Sequence, residues 1–240
     1  MFKIKLADLI IEIDNKYSFI QNQCREYIVM SDHVDVFASC TDEEIEAEHN
    51  NYDSKNDFSL GYCESICIYR SICLQMPKFD AFIFHSAVVS VDEKAYAFAA
   101  RSGTGKSTHL LLWKEYLKER MNVVNGDKPI MRFINGTLFA YGTPWCGKEG
   151  WQTNTKAELK AICFIERAKE NRIEPLEKKK AADLVMKQIL MPKDPFGAIK
   201  TLELLDQMLN KTDTWLLGCN ISIDAAKLSY NTMAGVNNED

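Results

Sequence analysis

A glycine-rich octet near the middle of the chain has the composition of a phosphate-binding loop. It reads Ala100-Arg101-Ser102-Gly103-Thr104-Gly105-Lys106-Ser107 and fits the phosphate-loop pattern, except that alanine stands where the first glycine is usual. Gly103 and Gly105 allow the backbone to turn its N–H groups inward around phosphate oxygens. Lys106 supplies a positive charge for the outer phosphates, and Ser107 offers a hydroxyl to Mg²⁺. The octet therefore predicts a site for nucleotide phosphates.

The segments on either side of the octet are those that such a loop requires. Residues 95–99 are predominantly apolar and indicate a buried strand that leads directly into the loop. From Lys106 onward, apolar side chains recur at helical spacing. The N-terminal end of that helix would add its partial positive charge to the phosphate site.

A nucleotide site also needs an acidic side chain that holds the metal ion, directly or through water. Asp127 follows a short strand at 123–124, and Glu166 follows an apolar strand at 159–165. The position of Glu166 is typical of an ordinary P-loop NTPase, whereas that of Asp127 suits a fold in which the acid lies on the next hairpin. The spacing alone leaves both candidates open.

Length and composition exclude several classes of protein. The chain has 240 residues, of which 46% are hydrophobic and 26% charged, which is typical of a folded globular protein. Its net charge of −5 argues against general binding of nucleic acid, which needs a basic surface. It has no apolar run of about 18 residues that would span a membrane, and its N-terminus has no apolar core of a secretion signal. We therefore expect a cytoplasmic protein without nucleic-acid or membrane partners.

The eight cysteines are expected to be reduced thiols in that compartment. Cys63, Cys67 and Cys73 lie close together in the sequence, and a metal site is one interpretation of this cluster. We favour packing of small apolar thiols inside a helix, because none of the eight forms a CxxC pair.

Periodicity and turn residues predict alternating strands and helices along the chain. Strands are predicted at 4–13, 27–30, 34–38, 82–89, 95–99, 123–124, 130–134, 137–141, 159–165 and 214–217. Helices are predicted after an N-cap at Thr41, at 59–76, from 106, and at 178–190, 195–210 and 223–233. Loops or turns are predicted at 48–57, 92–94, 125–127, 135–136 and 143–148.

Four segments in a fixed order resemble the HPr kinase-like proteins, whose fold is shared with the nucleotide domain of ATP-dependent phosphoenolpyruvate carboxykinase. In chain order they are His85-Ser86, Arg101–Thr108, Asn125–Pro129 and Thr143–Lys148. The resemblance covers about residues 80–233 and does not extend to the first 75. It implies an α/β fold with a mixed-sheet P-loop kinase core, to which an N-terminal α+β extension is added.

The same resemblance implies an ATP-dependent kinase that transfers the γ-phosphate to a hydroxyl of a peptide, protein or small molecule, with ATP and Mg²⁺ as cofactors. Carried over by position, the catalytic residues are Asp127, His85 and Lys106. The metal is assigned to Ser107 and Asp127. The nucleotide is assigned to Ser102, Gly103, Thr104, Gly105, Lys106, Ser107, Thr108 and Lys148, with Trp145 lining the mouth of the site.

One departure from the family pattern bears on catalysis. The family usually has two consecutive acids where this chain has Gly126-Asp127. Asp127 would then have to hold the metal and accept the proton, or His85 or a water chain would accept it. Two alternatives to an active kinase stay open: a nucleotide-binding regulatory protein with weakened catalysis, and an ordinary P-loop NTPase that uses Glu166.

The domain organisation follows from these assignments. Residues 1–78 are predicted to form an α+β segment that covers the nucleotide sheet or binds the acceptor, and residues 79–234 form the nucleotide-binding kinase-like domain. Residues 235–240 are a polar tail. A homo-oligomer is compatible with the sequence.

Overall fold

The computed structural model of the protein describes residues 1–52 and 58–236, and it divides the chain into two units, Met1–Phe79 and Asp80–Asp240. In the described part of the first unit, a three-stranded sheet is accompanied by three α-helices. Its elements are β1 (Phe2–Leu6), β2 (Leu9–Ile13), β3 (Val36–Ala38), α1 (Ser18–Gln23), α2 (Asp42–Asn50) and α3 (Leu60–Gln75), with short 3-10 helices at Arg25–Tyr27 and Met76–Phe79. β2 lies in the middle of the sheet, antiparallel to β1 and parallel to β3.

Two predicted strands of the first unit are wrong. The single strand predicted at 4–13 is a hairpin, because Ala7 and Asp8 adopt positive φ angles of 51° and 58° that turn the chain back on itself. The strand predicted at 27–30 is replaced by the end of a 3-10 helix and one isolated bridge between Ile28 and Ile4.

The predicted helices of this unit are confirmed. Thr41 caps α2 in a capping box with Glu44, in which each side chain accepts a hydrogen bond from the other residue's backbone N–H. α3 begins after Ser59, whose hydroxyl accepts from the Tyr62 N–H. The predicted loop at 48–57 starts later than expected because α2 continues through Asn50, and residues 53–57 lie outside the described residues.

The second unit is a mixed α/β fold built on a curled sheet. Its strands are β4 (Ala81–Ile83), β5 (Ala87–Val91), β6 (Lys94–Ala99), β7 (Met121–Asn125), β8 (Ile130–Ile134), β9 (Thr137–Tyr141), β10 (Lys156–Arg167), β11 (Arg172–Pro175) and β12 (Asp213–Cys219). Its helices are α4 (Lys106–Leu117), α5 (Lys178–Met186), α6 (Pro195–Lys211) and α7 (Ile223–Ala234), with a 3-10 helix at Lys118–Arg120. The strand order is β4-β8-β9-β10-β6-β5-β7, and β12 joins β10 and β11.

Helices cover both faces of this sheet. On one face, α4 and α7 pack through Leu110, Trp113 and Tyr230 against the side chains of β6 and β10. On the other face, α5 and α6 pack through Val185 and Leu205 against the alternate side chains of the same strands. The long strand β10 runs parallel to β6 on one side and to β12 on the other, so its carboxyl end lies beside the carboxyl end of β6.

Most of the predicted elements of the second unit are confirmed, including the β8–β9 hairpin. Asn135 and Gly136 in its turn have φ angles of 49° and 80°, which is the conformation that the Asn-Gly pair favours. α5 ends at Met186 rather than at 190, because the chain then turns so that Ile189 can bridge to Phe84. The sequence did not indicate β11. No helix among the described residues is long and apolar enough to cross a membrane.

The strand predicted at 82–89 is wrong at its centre. β4 ends at Ile83 and β5 begins at Ala87, and the three residues between them leave the sheet ladder. The N–H groups of Phe84, His85 and Ser86 donate instead to the carbonyls of Pro129, Gln188 and Asp127. His85 therefore lies at a break between two strands and not within one.

Candidate functional site

The glycine-rich octet forms a loop between β6, which ends at Ala99, and α4, which begins at Lys106. Gly103 and Gly105 have φ angles of 75° and 125°. A Cβ at either position would meet nothing within 4 Å, so the backbone conformation, and not lack of space, is what calls for glycine there. The Thr104 N–H donates to the Arg101 carbonyl across 3.1 Å and closes the turn.

The conformation and burial of Ala100 explain why the first position of the loop tolerates alanine. Its φ angle is not positive, and its side chain is buried in the core against α4. A methyl group at this position therefore contributes to packing instead of straining the turn.

The side chain of Lys106 folds back over the loop. Its Nζ donates to the Ala100 carbonyl at 3.2 Å. Burial lowers the pKa of Lys106, and the negative charges of Asp127 and Glu149 oppose that effect. The amine thus lies where it can meet a phosphate, with two carboxylates in its electrostatic surroundings.

The N-terminal end of α4 is open to an anion. Gly105 occupies the N-cap position and has no side chain that could accept a hydrogen bond from the first turn. The first N–H groups of a helix have no partner within the helix, so those of Lys106, Ser107 and Thr108 are available to phosphate oxygens. Ser102 and Gly103 are exposed, and Ser107 and Thr108 are half-buried.

Arg167, which sequence reasoning missed, holds the loop from outside. It is the last residue of β10, and its guanidinium donates from Nη2 to the Gly103 carbonyl at 2.5 Å and from Nε to the Thr104 carbonyl at 3.2 Å. The sequence alone could not have indicated that Arg167 contacts the loop, because the contact depends on β10 lying next to β6 in the sheet.

His85 and Asp127 form a hydrogen-bonded pair near the loop. Nε2 of His85 lies 2.9 Å from Oδ1 of Asp127, and Nζ of Lys128 lies 3.6 Å from Oδ2. Burial acts to raise the pKa of Asp127, but the hydrogen bond and charge of His85, together with Lys128 and Lys106, outweigh it and lower that pKa. The Asp127 carboxyl is therefore held in its ionised form.

A buried asparagine positions this pair. Oδ1 of Asn125 accepts the backbone N–H groups of Asp127 at 2.8 Å and Lys128 at 2.7 Å, which fixes the turn after β7. Its Nδ2 donates to both the carbonyl and the hydroxyl of Thr143 at 3.0 Å. Asn125 thereby ties the Asp127 turn to the loop that begins at Thr143, another role that sequence reasoning missed.

Gly126 leaves little room for a second acid. A Cβ there would lie 3.0 Å from the Cys146 carbonyl oxygen and 3.3 Å from that of Trp151. Both neighbours are backbone atoms, and the Gly126 N–H is itself fixed by a 2.8 Å bond to the Trp151 carbonyl. A side chain at position 126 would therefore need these backbone carbonyls to move by a few tenths of an ångström.

The loop from Thr143 to Gly150 approaches Asp127 from the other side. Trp145 is buried, with 3% exposure, so its ring packs inside the unit and does not line an open mouth as we expected. Lys148 is exposed in the turn. The point that a Cβ on Gly147 would occupy lies 3.1 Å from the Asp127 Cβ and 3.6 Å from Oε2 of Glu149. Glu149, which sequence reasoning did not single out, is thus a second carboxylate close to Asp127.

Glu166 occupies a different environment. Its Oε1 accepts a 2.6 Å hydrogen bond from Nη2 of Arg172. Along β10, Cys163 and Ile165 face α4 and α7, so Glu166 points to the opposite face of the sheet. Of the two acids that the spacing left open, Asp127 is the one whose charge acts on Lys106.

The clustered cysteines of the first unit show no metal-binding arrangement. Cys63, Cys67 and Cys73 are buried in α3, and burial raises the pKa of Cys63 and Cys67. Across residues 1–52 and 58–236, no three His, Cys, Asp or Glu side chains are grouped so that they could hold a metal ion by themselves. A cation at the loop would therefore also need oxygen ligands from hydroxyl groups, water or a bound nucleotide.

Comparisons with known proteins add little to this geometry. No family model matches the sequence, and no curated protein matches it. Among solved structures, the Hpr(Ser) kinase/phosphatase from Coxiella burnetii is similar, with 10% identity over 64% of this chain and 97% of that chain and a TM-score of 0.35. A likeness this slight supports no conclusion about function, which has to be inferred from the residues of the site.

Proposed function

We propose that this protein is an ATP-dependent phosphotransferase that moves the γ-phosphoryl group of ATP to a hydroxyl of a peptide, a protein or a small molecule. The observation that carries the proposal is the inward-turned Lys106 on a strand–loop–helix, with the ionised Asp127 and its partner His85 nearby. A phosphate loop alone binds nucleotide, whereas a hydrogen-bonded carboxylate–imidazole pair beside it adds a means of handling an acceptor's proton.

Binding would use the loop and the first turn of α4. The N–H groups of Gly105 and of Lys106, Ser107 and Thr108 would donate to phosphate oxygens. The Lys106 amine would exchange the Ala100 carbonyl for an outer phosphate. Since Lys106 already lies folded over the loop, this exchange requires a short movement of one side chain.

The residues present fit a magnesium ion bound together with the nucleotide. Ser107 offers a hydroxyl in the first turn of α4, and Asp127 offers a carboxylate that its surroundings keep charged. When bound, Mg²⁺ would neutralise charge on the outer phosphates. Neutralising that charge and positioning the reactants account for most of the catalysis in phosphoryl transfer.

In the transfer step, the acceptor oxygen would form a bond to the γ-phosphorus while the bond from that phosphorus to the bridging oxygen breaks. ADP leaves with the electron pair of the broken bond. The proton of the acceptor hydroxyl would pass to the His85–Asp127 pair, whose imidazole is 40% exposed at its side chain and accessible to an acceptor. Lys106 would offset the charge that develops on the phosphates.

A regulatory nucleotide-binding protein is the second candidate, and Gly126 is the observation that favours it. Because residue 126 is glycine, Asp127 has no neighbouring acid in the sequence to share the work of metal binding and proton transfer. Two backbone carbonyls crowd the position where such an acid would stand. This candidate predicts binding of ATP and Mg²⁺ without measurable transfer.

The test is phosphate transfer from ATP to serine-containing peptides and to small alcohols, measured for the parent and for Lys106→Ala, Asp127→Asn and Glu166→Gln. We expect transfer by the parent and by Glu166→Gln, and loss of transfer in the other two variants. Equal transfer by Lys106→Ala and the parent would refute the proposal. ATP hydrolysis is measured for the same proteins, and hydrolysis that is lost on Glu166→Gln but kept on Asp127→Asn would instead favour an ordinary P-loop NTPase.

A further inference from the structure

Arg167 and the phosphate loop are joined by two hydrogen bonds that involve neither end of the loop. The guanidinium binds two consecutive carbonyls, those of Gly103 and Thr104, through Nη2 and Nε. These two nitrogens lie in one rigid plane, so they fix the direction of both carbonyls together.

The direction of a carbonyl fixes the direction of the amide beside it. The peptide units of the described chain are trans and planar, so the C=O of Thr104 and the N–H of Gly105 point in opposite directions. With its carbonyl held toward Arg167, the Thr104–Gly105 unit presents the Gly105 N–H on the side away from the guanidinium. The carbonyl of the Gly103–Thr104 unit also points toward Arg167. The N–H of that unit belongs to Thr104, and it donates to the Arg101 carbonyl and closes the turn.

The two glycines make such a restraint necessary. Gly103 and Gly105 permit the positive φ angles of the turn, but glycine also permits the opposite orientation of an adjacent peptide unit at little steric cost. A Cβ would meet nothing within 4 Å at either position, so no close packing surrounds the glycines at those points. The Arg167 fork is a contact that favours the observed orientation of the two carbonyls.

We propose that Arg167 is a positioning residue that keeps the Gly105 N–H of the phosphate loop directed toward the phosphates, acting through the Thr104 and Gly103 carbonyls and without touching the nucleotide. The inference rests on the proposed function, since it assumes that the loop binds phosphates. A residue of β10, a strand outside the loop motif, would thus preorganise the loop for binding nucleotide.

Two substitutions separate the geometry of Arg167 from its charge. Arg167→Gln removes the charge and the fork, whereas Arg167→Lys keeps the charge but replaces the planar fork by a single ammonium group. Arg172→Gln is the matched control, because it removes an exposed guanidinium from β11 that binds Glu166 and not the loop.

The measurements are the dissociation constants of ATP and of adenosine, together with the ¹H–¹⁵N resonance of Gly105 in the nucleotide-free protein. We expect Arg167→Gln to weaken ATP binding by about tenfold or more, with adenosine affinity unchanged and the Gly105 resonance shifted. Arg167→Lys should recover a small part of the loss, and Arg172→Gln should match the parent in all three readouts.

Each other result has a defined meaning. Full recovery by Arg167→Lys would show that charge alone matters and would overturn the inference, as would an unshifted Gly105 resonance or unchanged ATP affinity in Arg167→Gln. If the parent itself binds no ATP, the proposed function fails and the inference fails with it. If the parent binds ATP and Arg167→Gln binds equally well, the inference alone fails.

Discussion

Nε2 of His85 lies 2.9 Å from Oδ1 of Asp127, which joins the break between β4 and β5 to the turn that follows β7. The backbone supports the same junction, because the Ser86 N–H donates to the Asp127 carbonyl at 3.1 Å. A histidine and a carboxylate that are 42 positions apart in the sequence are thereby held as one pair beside the phosphate loop.

His85→Gln is expected to separate transfer from nucleotide binding. Glutamine keeps a polar group but cannot take up a proton at neutral pH, so the transfer rate should fall by roughly a hundredfold. The dissociation constant of ATP should stay within about twofold of the parent, because His85 makes no contact with the loop in this account. A variant that transfers phosphate as fast as the parent would show that the pair is not used for proton transfer.

The lowered pKa of Asp127 predicts a dependence of stability on pH. Its contribution to the free energy of unfolding is fully present above the ordinary aspartate pKa of about 3.9, and it is lost as the pH falls through the lower pKa of the folded state. Denaturant unfolding measured between pH 2 and 6 should therefore show a shallower loss of stability for Asp127→Asn than for the parent. Parallel pH profiles for the two proteins would contradict the environment described for this carboxyl.

His109, in α4, predicts a second and separate pH dependence. Burial lowers its pKa to about 4, and its Nε2 lies 3.0 Å from the Ser229 hydroxyl while its Nδ1 has no partner among the described residues. The neutral ring is favoured by folding, so stability is fully present above pH 6.5 and falls by about 3 kcal/mol as the pH drops to 4.

Urea unfolding of His109→Gln checks this expectation. The variant should be less sensitive to pH between 4 and 6.5 than the parent, whatever its stability at pH 7. His33→Gln removes an exposed histidine from the first unit and serves as the control. If His109→Gln and the parent lose stability equally on acidification, the buried neutral state is not the cause.

Gly126→Asp is expected not to improve transfer, even though it restores the pair of acids usual in the family that the sequence resembles. The new Cβ would press against the Cys146 and Trp151 carbonyls, and overpacking of this kind costs about 1–3 kcal/mol of stability. Thermal unfolding together with the transfer assay tests the expectation. An increase in transfer rate at unchanged stability would show that the backbone around 126 yields easily and that the missing acid limits the parent.

The parts of the site that could be predicted from sequence are local. The octet between an apolar strand and an amphipathic helix specifies its own turn, because the glycines, the lysine and the helix start are adjacent in the chain. The Asn135-Gly136 hairpin and the helix N-cap at Thr41 were predictable for the same reason. In each case, the residues that determine the structure lie within a few positions of one another.

The parts that could not be predicted depend on distant backbone. Phe84–Ser86 reads as the middle of an apolar strand, and only the carbonyls of Pro129, Gln188 and Asp127 draw its N–H groups out of the sheet. Arg167 contacts the loop because β10 lies next to β6, a neighbour relation that the periodicity of either strand does not reveal. The burial of Trp145 likewise depends on how its loop packs and not on its own neighbours in the sequence.

The most direct test of the central claim is the affinity of Mg²⁺·ATP for the parent and for Lys106→Ala, measured by isothermal titration calorimetry. Lys179→Ala, which removes an exposed lysine from α5, is the matched control. If Lys106 meets the outer phosphates, its removal should weaken binding on the order of tenfold or more, while the control binds like the parent. Equal affinity of Lys106→Ala and the parent, or no binding by the parent, would contradict the account.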